Sequence, residues 1–185
     1  MAEKPILFSG PMVCAILEDR KTQTRRVVKD GQVQCPYGSP GDRPWVRETH
    51  RYWWPDWEDP GAHPCRCRYK ADDSVVDLPV QWDEGDQFFT PEDAGLDQEP
   101  VKWRSPIFMP HWASRITLEI TGIRVERLQS ISDTDALAEG CSAADMRSGD
   151  SLASIYARLW ESIHGAGSWD SNPLVWVVEF CRTQL

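Results

Sequence analysis

Lys21 and Thr24 lie three residues apart in the stretch EDRKTQTRR (18–26), where Arg20, Lys21, Arg25 and Arg26 gather four cations around two threonines. A threonine hydroxyl becomes a nucleophile only when a base within hydrogen-bond reach takes its proton. A lysine serves as that base when lost hydration or neighbouring cations push its pKa down. The pairing of residue types therefore suits acyl transfer. Spacing alone leaves a second reading open, in which KTQT is a solvated turn leading into a strand.

Glu139 is the next candidate. It sits in the last turn of a short helix, directly before Gly140, where the helix dipole disfavours a carboxylate. That setting suits a general acid, and an exposed Glu on a frayed helix end is the competing reading. Glu48, at the end of PWVRET, either lines a pocket or forms a structural ion pair. Ten tryptophans are present. Trp160 and Trp176 fall in core-like patterns, whereas Trp53, Trp54 and Trp57 lie in a polar, proline-broken segment. Flat rings there either stack on a nucleobase or pin a local cluster. Cys65-Arg66-Cys67 with His63 lacks both the usual two-residue gap and a matching second pair, so no metal is expected. His111 and Ser114 have no spacing that suits a hydrolase triad, and no phosphate loop or dinucleotide fingerprint occurs.

These residues need elements to hold them. Residues 5–8 read as a strand. Gly10-Pro11 opens a helix with Met12, Val13, Ile16 and Leu17 on its apolar face, ending near Asp19 or Arg20. Thr24–Val28 is the next strand, which makes the cationic stretch a helix-to-strand corner. CPYGSPGD (35–42) is a turn-rich loop, followed by a strand at 45–48. Residues 50–104 form an irregular, largely acidic insertion with one strand near Cys67–Ala71. Alternation resumes from Ile116 to Val125, with Gly122 as a bulge or turn. Ser132 and Asp135 resemble a capping box, and Gly140 closes that helix. Leu152, Ile155, Tyr156, Leu159, Trp160 and Ile163 stripe a helix over 151–164, and 174–181 is a buried C-terminal strand. The pattern predicts an α+β fold, a small curled sheet or barrel with helices.

The totals set limits. A chain of 185 residues suits one domain, here 1–185, with the insertion at about 50–104. A net charge of -9 argues against coating long duplex DNA, which demands many neutralised phosphates. Nothing approaches the length of a membrane span, and the N-terminal residues are too polar for a signal peptide. A cytoplasmic location with six reduced cysteines is the expectation.

The ordered segments PILFSGPMVCAILEDRKTQTRRVV, CPYGSPGDRPWVRET, YKADD, WRSPIFMPHWASRITLEITGIRVERLQSIS, DALAEG, LWESIHG and SWDSNPLVWVVEF resemble the ASCH-domain family, especially the stand-alone proteins encoded by phages and prophages. Residues 53–66 and 75–100 fit that resemblance least. It implies a PUA-like fold: a small mixed or antiparallel β-barrel flanked by helices. The family signature spaces Gly, Lys, Glu and Arg at fixed gaps; here Asp19, Lys21, Thr24 and Arg26 fill those places, two of them departures. Some small members remove the acetyl group from N4-acetylcytidine with a Lys, a Thr three residues later and a Glu near the second helix. The resemblance thus implies Thr24 as nucleophile, Lys21 as base and Glu139 as the group handling the leaving amine's proton. Arg26 and Glu48 are expected to shape the pocket and Trp45 to face the base. The expected partner is a nucleoside or short RNA, and neither metal nor cofactor is implied. Binding without catalysis, ribonuclease activity and a phage-assembly role are the alternatives.

Overall fold

The computed structural model describes residues 3–53, 65–78, 102–142 and 150–183. Trp54, Trp57, His63 and most of the acidic stretch lie outside them. The elements are β1 (Pro5–Leu7), α1 (Gly10–Leu17), β2 (Gln23–Val27), β3 (Trp45–Arg47), β4 (His50–Trp53), β5 (Cys65–Tyr69), β6 (Val75–Leu78), β7 (Leu118–Arg127), α2 (Asp133–Ala138), α3 (Leu152–His164) and β8 (Leu174–Arg182). This is a mixed α+β fold. Its contacts divide it into two compact units, one of residues 1–4, 15–45 and 116–185, the other of 5–14 and 46–115. No helix among the described residues is long and apolar enough to cross a membrane.

The first unit is built on the antiparallel sheet β2-β8-β7. The C-terminal strand β8 takes the centre, which explains its run of buried apolar residues: it packs on both faces. Val175 and Val177 join Leu128, Ile131, Tyr156 and Trp160 in one core, beneath α2 and α3. Trp176 and Val178 point the other way, into a cluster with Cys35 and Ile120. The register of β7 on β8 shifts between Ile120 and Gly122. A Cβ on Gly122 would fall 2.6 Å from a Glu179 carboxylate oxygen, the movable end of that side chain, which would have to swing aside. α2 and α3 both start with a capping box: Ser132 with Asp135, as the sequence predicts, and Ser151 with Ser154 exchange reciprocal bonds.

The second unit contains the two-stranded pair β1-β3 and the meander β4-β5-β6. The sequence suggests one strand in 50–104; the described residues of that range hold three, β4, β5 and β6. β4 and β6 escaped notice because HRYW and VVDL are short and carry no sustained alternation. In β5, Cys65, Cys67 and Tyr69 are buried while Arg66 is exposed, the period-two pattern of a half-buried strand. The described strands thus make three small sheets and close no barrel, unlike the barrel expected from the resemblance. β8 is flanked by β2 and β7, and among the described residues neither of those pairs on to another long strand.

Candidate functional site

The helix-to-strand corner has a definite construction. At the end of α1, the Asp19 amide bonds the Ile16 carbonyl and the Arg20 amide bonds that of Ala15, at 3.0 and 2.9 Å. With Asp19 at φ +56°, this is a Schellman end with aspartate in the left-handed position. The same geometry closes α2: Gly140, φ +92°, bonds Leu137, and Cys141 bonds Ala136. The two helix ends press together. A Cβ on Gly140 would lie 3.1 Å from that of Ala15 and 3.3 Å from that of Lys21. The Thr22 amide then binds the Ala138 carbonyl at 2.8 Å and locks the corner to α2.

This close approach brings Lys21 and Glu139 together. Lys21 Nζ donates to Glu139 Oε2 at 2.7 Å, to the Glu139 carbonyl at 2.8 Å and to the Gln23 carbonyl at 2.7 Å. Lys21 is 2% exposed and Glu139 3%. Burial pushes Lys21 below its ordinary pKa, and the attraction of Glu139 offsets only part of that shift.

Arg25, two positions along β2 from Gln23, extends the network on the same side of the strand. Its guanidinium reaches Glu139 Oε1 at 3.2 Å, Glu126 at 2.5 Å and Asp135 at 3.4 Å, and lies 5.8 Å from the Tyr156 ring centroid. Gln23 donates to Asp135 at 3.2 Å, and Arg124 bonds Asp135, Glu126 and Glu179. Burial pushes the Asp135 carboxyl upward, but bonds from Ser132 and Gln23 and the Arg25 charge bring it below its ordinary value. The sequence alone marks Arg25 only as a cation near Lys21 and singles out neither Gln23 nor Glu126. The alternation Lys21, Gln23, Arg25 is the signal that would have found the first two.

Thr24 is 1% exposed and pairs with Val178 in the β2–β8 register. Its side chain leaves the strand on the face opposite to Gln23 and Arg25. Its hydroxyl bonds neither Lys21 nor Glu139 among the described residues. The lysine amine is nonetheless near: its acceptor is the carbonyl of the peptide bond joining Gln23 to Thr24. Because the neighbouring Thr22 carbonyl is taken by the Phe180 amide of β8, the Gln23 carbonyl points off the free edge of β2. Arg26 is half-buried, close enough to Lys21 to lower its pKa further.

Trp45 is buried in β3, its amide bonded to the Lys4 carbonyl at 3.0 Å. Glu48 belongs to the second unit, where Arg115 Nε and Nη2 grip its two oxygens at 2.8 and 2.9 Å. Burial raises the Glu48 pKa, opposed by Arg115. In the same unit, burial also raises the Cys67 thiol to about 12 and pushes Cys65 up. No group of three or more His, Cys, Asp or Glu side chains among the described residues could hold a metal ion.

Fold and site together define an α+β protein carrying a buried lysine–glutamate–arginine network where two helix ends meet. No protein-family model matches the chain. No curated protein matches it. Among solved structures, protein EF3133 from Enterococcus faecalis V583, described under the family model DUF984, is similar at 11% identity over 99% of this chain and 82% of its own, with a TM-score of 0.46. A likeness that weak carries no argument about function.

Proposed function

We propose that the protein is a PUA-like, ASCH-type amidohydrolase that removes an acyl group from N4-acylated cytidine or a related modified nucleoside. The observation that carries this reading is the buried Lys21–Glu139 pair, whose amine also holds the peptide carbonyl preceding Thr24. Moving one proton along the 2.7 Å bond turns the ion pair into a neutral amine beside a carboxylic acid. Those are the base and the acid that amide cleavage needs. The reaction requires the amine lone pair to turn to the Thr24 hydroxyl, from its present bonds to Glu139 and the Gln23 carbonyl. The Thr24 oxygen bonds to the acyl carbon and its proton passes to Lys21. The C–N bond then breaks as Glu139 protonates the departing amine. These two transfers restore the ion pair, and water then hydrolyses the threonyl ester, its hydroxyl going to the acyl carbon and its proton to the Thr24 oxygen. Arg26 lies near enough to favour the negative charge developing on the carbonyl oxygen.

The test is the ultraviolet absorbance of N4-acetylcytidine incubated with the protein. Turnover should fall by at least about a hundredfold in Thr24→Ala, Lys21→Ala and Glu139→Gln. No turnover over hours at high protein concentration sinks the proposal. One observation favours a second reading, a base-binding module without catalysis. Lys21 donates all three ammonium hydrogens, none of them to Thr24. Cytidine binding that survives Thr24→Ala, with no deacylation by the unaltered protein, would establish that reading.

A further inference from the structure

The second unit contains a cavity of about 480 Å³, within the range of small-molecule sites, and its wall carries both signs of charge. The negative group is Glu48, which is 1% exposed. Arg115 Nε and Nη2 hold its two oxygens, and the third guanidinium nitrogen donates to Asp72 Oδ2 at 2.8 Å and Ser74 Oγ at 2.7 Å. Two carboxylates thus share one guanidinium, which leaves one negative charge uncompensated. Each Glu48 oxygen gives one lone pair to Arg115 and has a second to offer. Burial raises the Glu48 pKa in spite of Arg115, as it does for a carboxylate short of positive partners. The positive group is Lys70, exposed on the same wall. Its ammonium lies 5.9 Å from the Trp103 ring centroid and has no carboxylate partner among the described residues. The two charges stem from neighbouring backbone, because the Lys70 amide bonds the carbonyl of Thr49 at 2.9 Å. Thr49 adds a hydroxyl to the wall, and Pro11, Cys14 and Ala71 add apolar surface. The Cys14 thiol is already bonded to the Ala71 carbonyl at 3.1 Å.

These charges select among ligands. A lone anion meets the uncompensated carboxylate, and a lone cation meets the ammonium. A neutral molecule leaves both groups desolvated without a partner. We propose that this cavity binds an aliphatic α-amino acid as its zwitterion, with the ammonium on Glu48 and the carboxylate on Lys70 and the Thr49 hydroxyl. The match is one of donors to acceptors as well as of charge: an ammonium only donates and a carboxylate only accepts. The short backbone separation of Glu48 and Lys70 suits two opposite charges carried on one carbon. The ligand's side chain lies against Pro11, Cys14 and Ala71, none of which has a polar group left to offer it. The inference rests on the second unit alone and requires neither a nucleoside nor deacylation, so it stands or falls apart from the hydrolase proposal.

Calorimetric titration of the full chain with leucine, leucinamide and N-acetylleucine tests it. Leucinamide lacks the carboxylate, and N-acetylleucine lacks the ammonium. Leucine should bind at least about tenfold tighter than either, since each analogue gives up one charge-assisted contact. In Lys70→Met the advantage over leucinamide should shrink to within about threefold. In Glu48→Gln the advantage over N-acetylleucine should shrink likewise, with circular dichroism checking that both variants are folded. Failure of leucine to bind at millimolar concentration overturns the proposal, as does an affinity for either analogue equal to that for leucine. So do ratios that persist unchanged in the two variants. Should Glu48→Gln not fold, the ratios in the unaltered protein and in Lys70→Met decide the matter.

Discussion

Lys21 and Glu139 are 118 residues apart, yet their side chains meet at 2.7 Å in a pair from which solvent is almost wholly excluded. Such a pair stabilises little when intact, since desolvating two charges nearly cancels their attraction. Breaking it is another matter. After Lys21→Met, Glu139 keeps the Arg25 guanidinium at 3.2 Å. After Glu139→Gln, Lys21 and Arg25 both lose a carboxylate. Glu139→Gln should therefore be the costlier change, by about 3–5 kcal/mol in urea unfolding, with Lys21→Met below it. The double variant Lys21→Met/Glu139→Leu should recover much of the loss. If the two single changes cost the same, Arg25 does not compensate Glu139 as the geometry requires.

Gly140 makes that meeting geometrically feasible, for two independent reasons. Its φ of +92° is a conformation that side chains rarely adopt. The space beside it is filled by the Ala15 and Lys21 side chains at 3.1 and 3.3 Å. Gly140→Ala should destabilise the fold by more than about 1 kcal/mol. It should also push Lys21 away from Glu139. Deacylation, where present, should fall further than the lost stability explains. An unfolding midpoint equal to that of the unaltered protein would refute this account of the corner.

At Asp19 the logic runs the other way. The family signature that the sequence resembles has glycine here, and φ +56° supplies a physical reason for it. Aspartate tolerates this region better than most residues but not freely. Its compensation is an exposed pair with Arg182 at 3.1 Å, which is worth little. Asp19→Gly should thus raise stability by roughly 0.5 kcal/mol, read as a higher urea midpoint with unchanged slope. A lower midpoint would show that the Arg182 pair matters more than the backbone strain.

Much of this architecture was legible in the sequence. The stripe from Leu152 to Ile163 and the alternation from Ile116 to Val125 gave α3 and β7 because their apolar periods are long. Ser132, Asp135 and Gly140 marked both ends of α2, since capping is local chemistry. The cationic corner was visible as Asp19 to Thr24. Its partner Glu139 was named as such only through the family resemblance, because a 118-residue separation leaves no trace in spacing. Arg25 read only as one of the four cations of the corner, whereas its side chain is wholly buried among three carboxylates. Nor did spacing reveal the grip of Arg115 on Glu48, which joins two residues 67 positions apart.

The pH dependence of deacylation bears on the role of Lys21. The neutral amine and carboxylic acid share the one proton that the ion pair holds, so the rate should fall as rising pH removes it. Burial sets the Lys21 pKa below the ordinary 10.5, so the falling limb should have its inflection below 10.5. Lys21→Ala should abolish the rate. A rate that rises through this range, or that survives in Lys21→Ala, would remove the shared proton from the mechanism.

His50 gives the fold an acid sensitivity of its own. The ring is fully buried in β4, with Nδ1–H donating to the Glu48 carbonyl at 3.1 Å and the Tyr52 ring stacked 5.7 Å away. Its Nε2 has no hydrogen-bond partner among the described residues. Burial, with the Arg104 charge adding to it, lowers the His50 pKa to about 4 from an ordinary 6.5. Above pH 6.5 the ring is neutral whether the chain is folded or not, and it makes no difference to stability. Between 6.5 and 4 the unfolded chain takes up a proton that the folded chain refuses, so stability falls as the pH drops. The loss is complete below about 4 and amounts to about 3 kcal/mol at the full difference between the two pKa values. The Asp72 carboxyl responds lower: burial nudges it up, but bonds from Arg115 and Ser74 hold it at about 2. Urea unfolding across pH 7 to 4 should therefore show a decline that His50→Phe flattens, whatever that change does to stability at pH 7. If the slope between pH 6.5 and 4 is the same in both proteins, the buried imidazole is not its source.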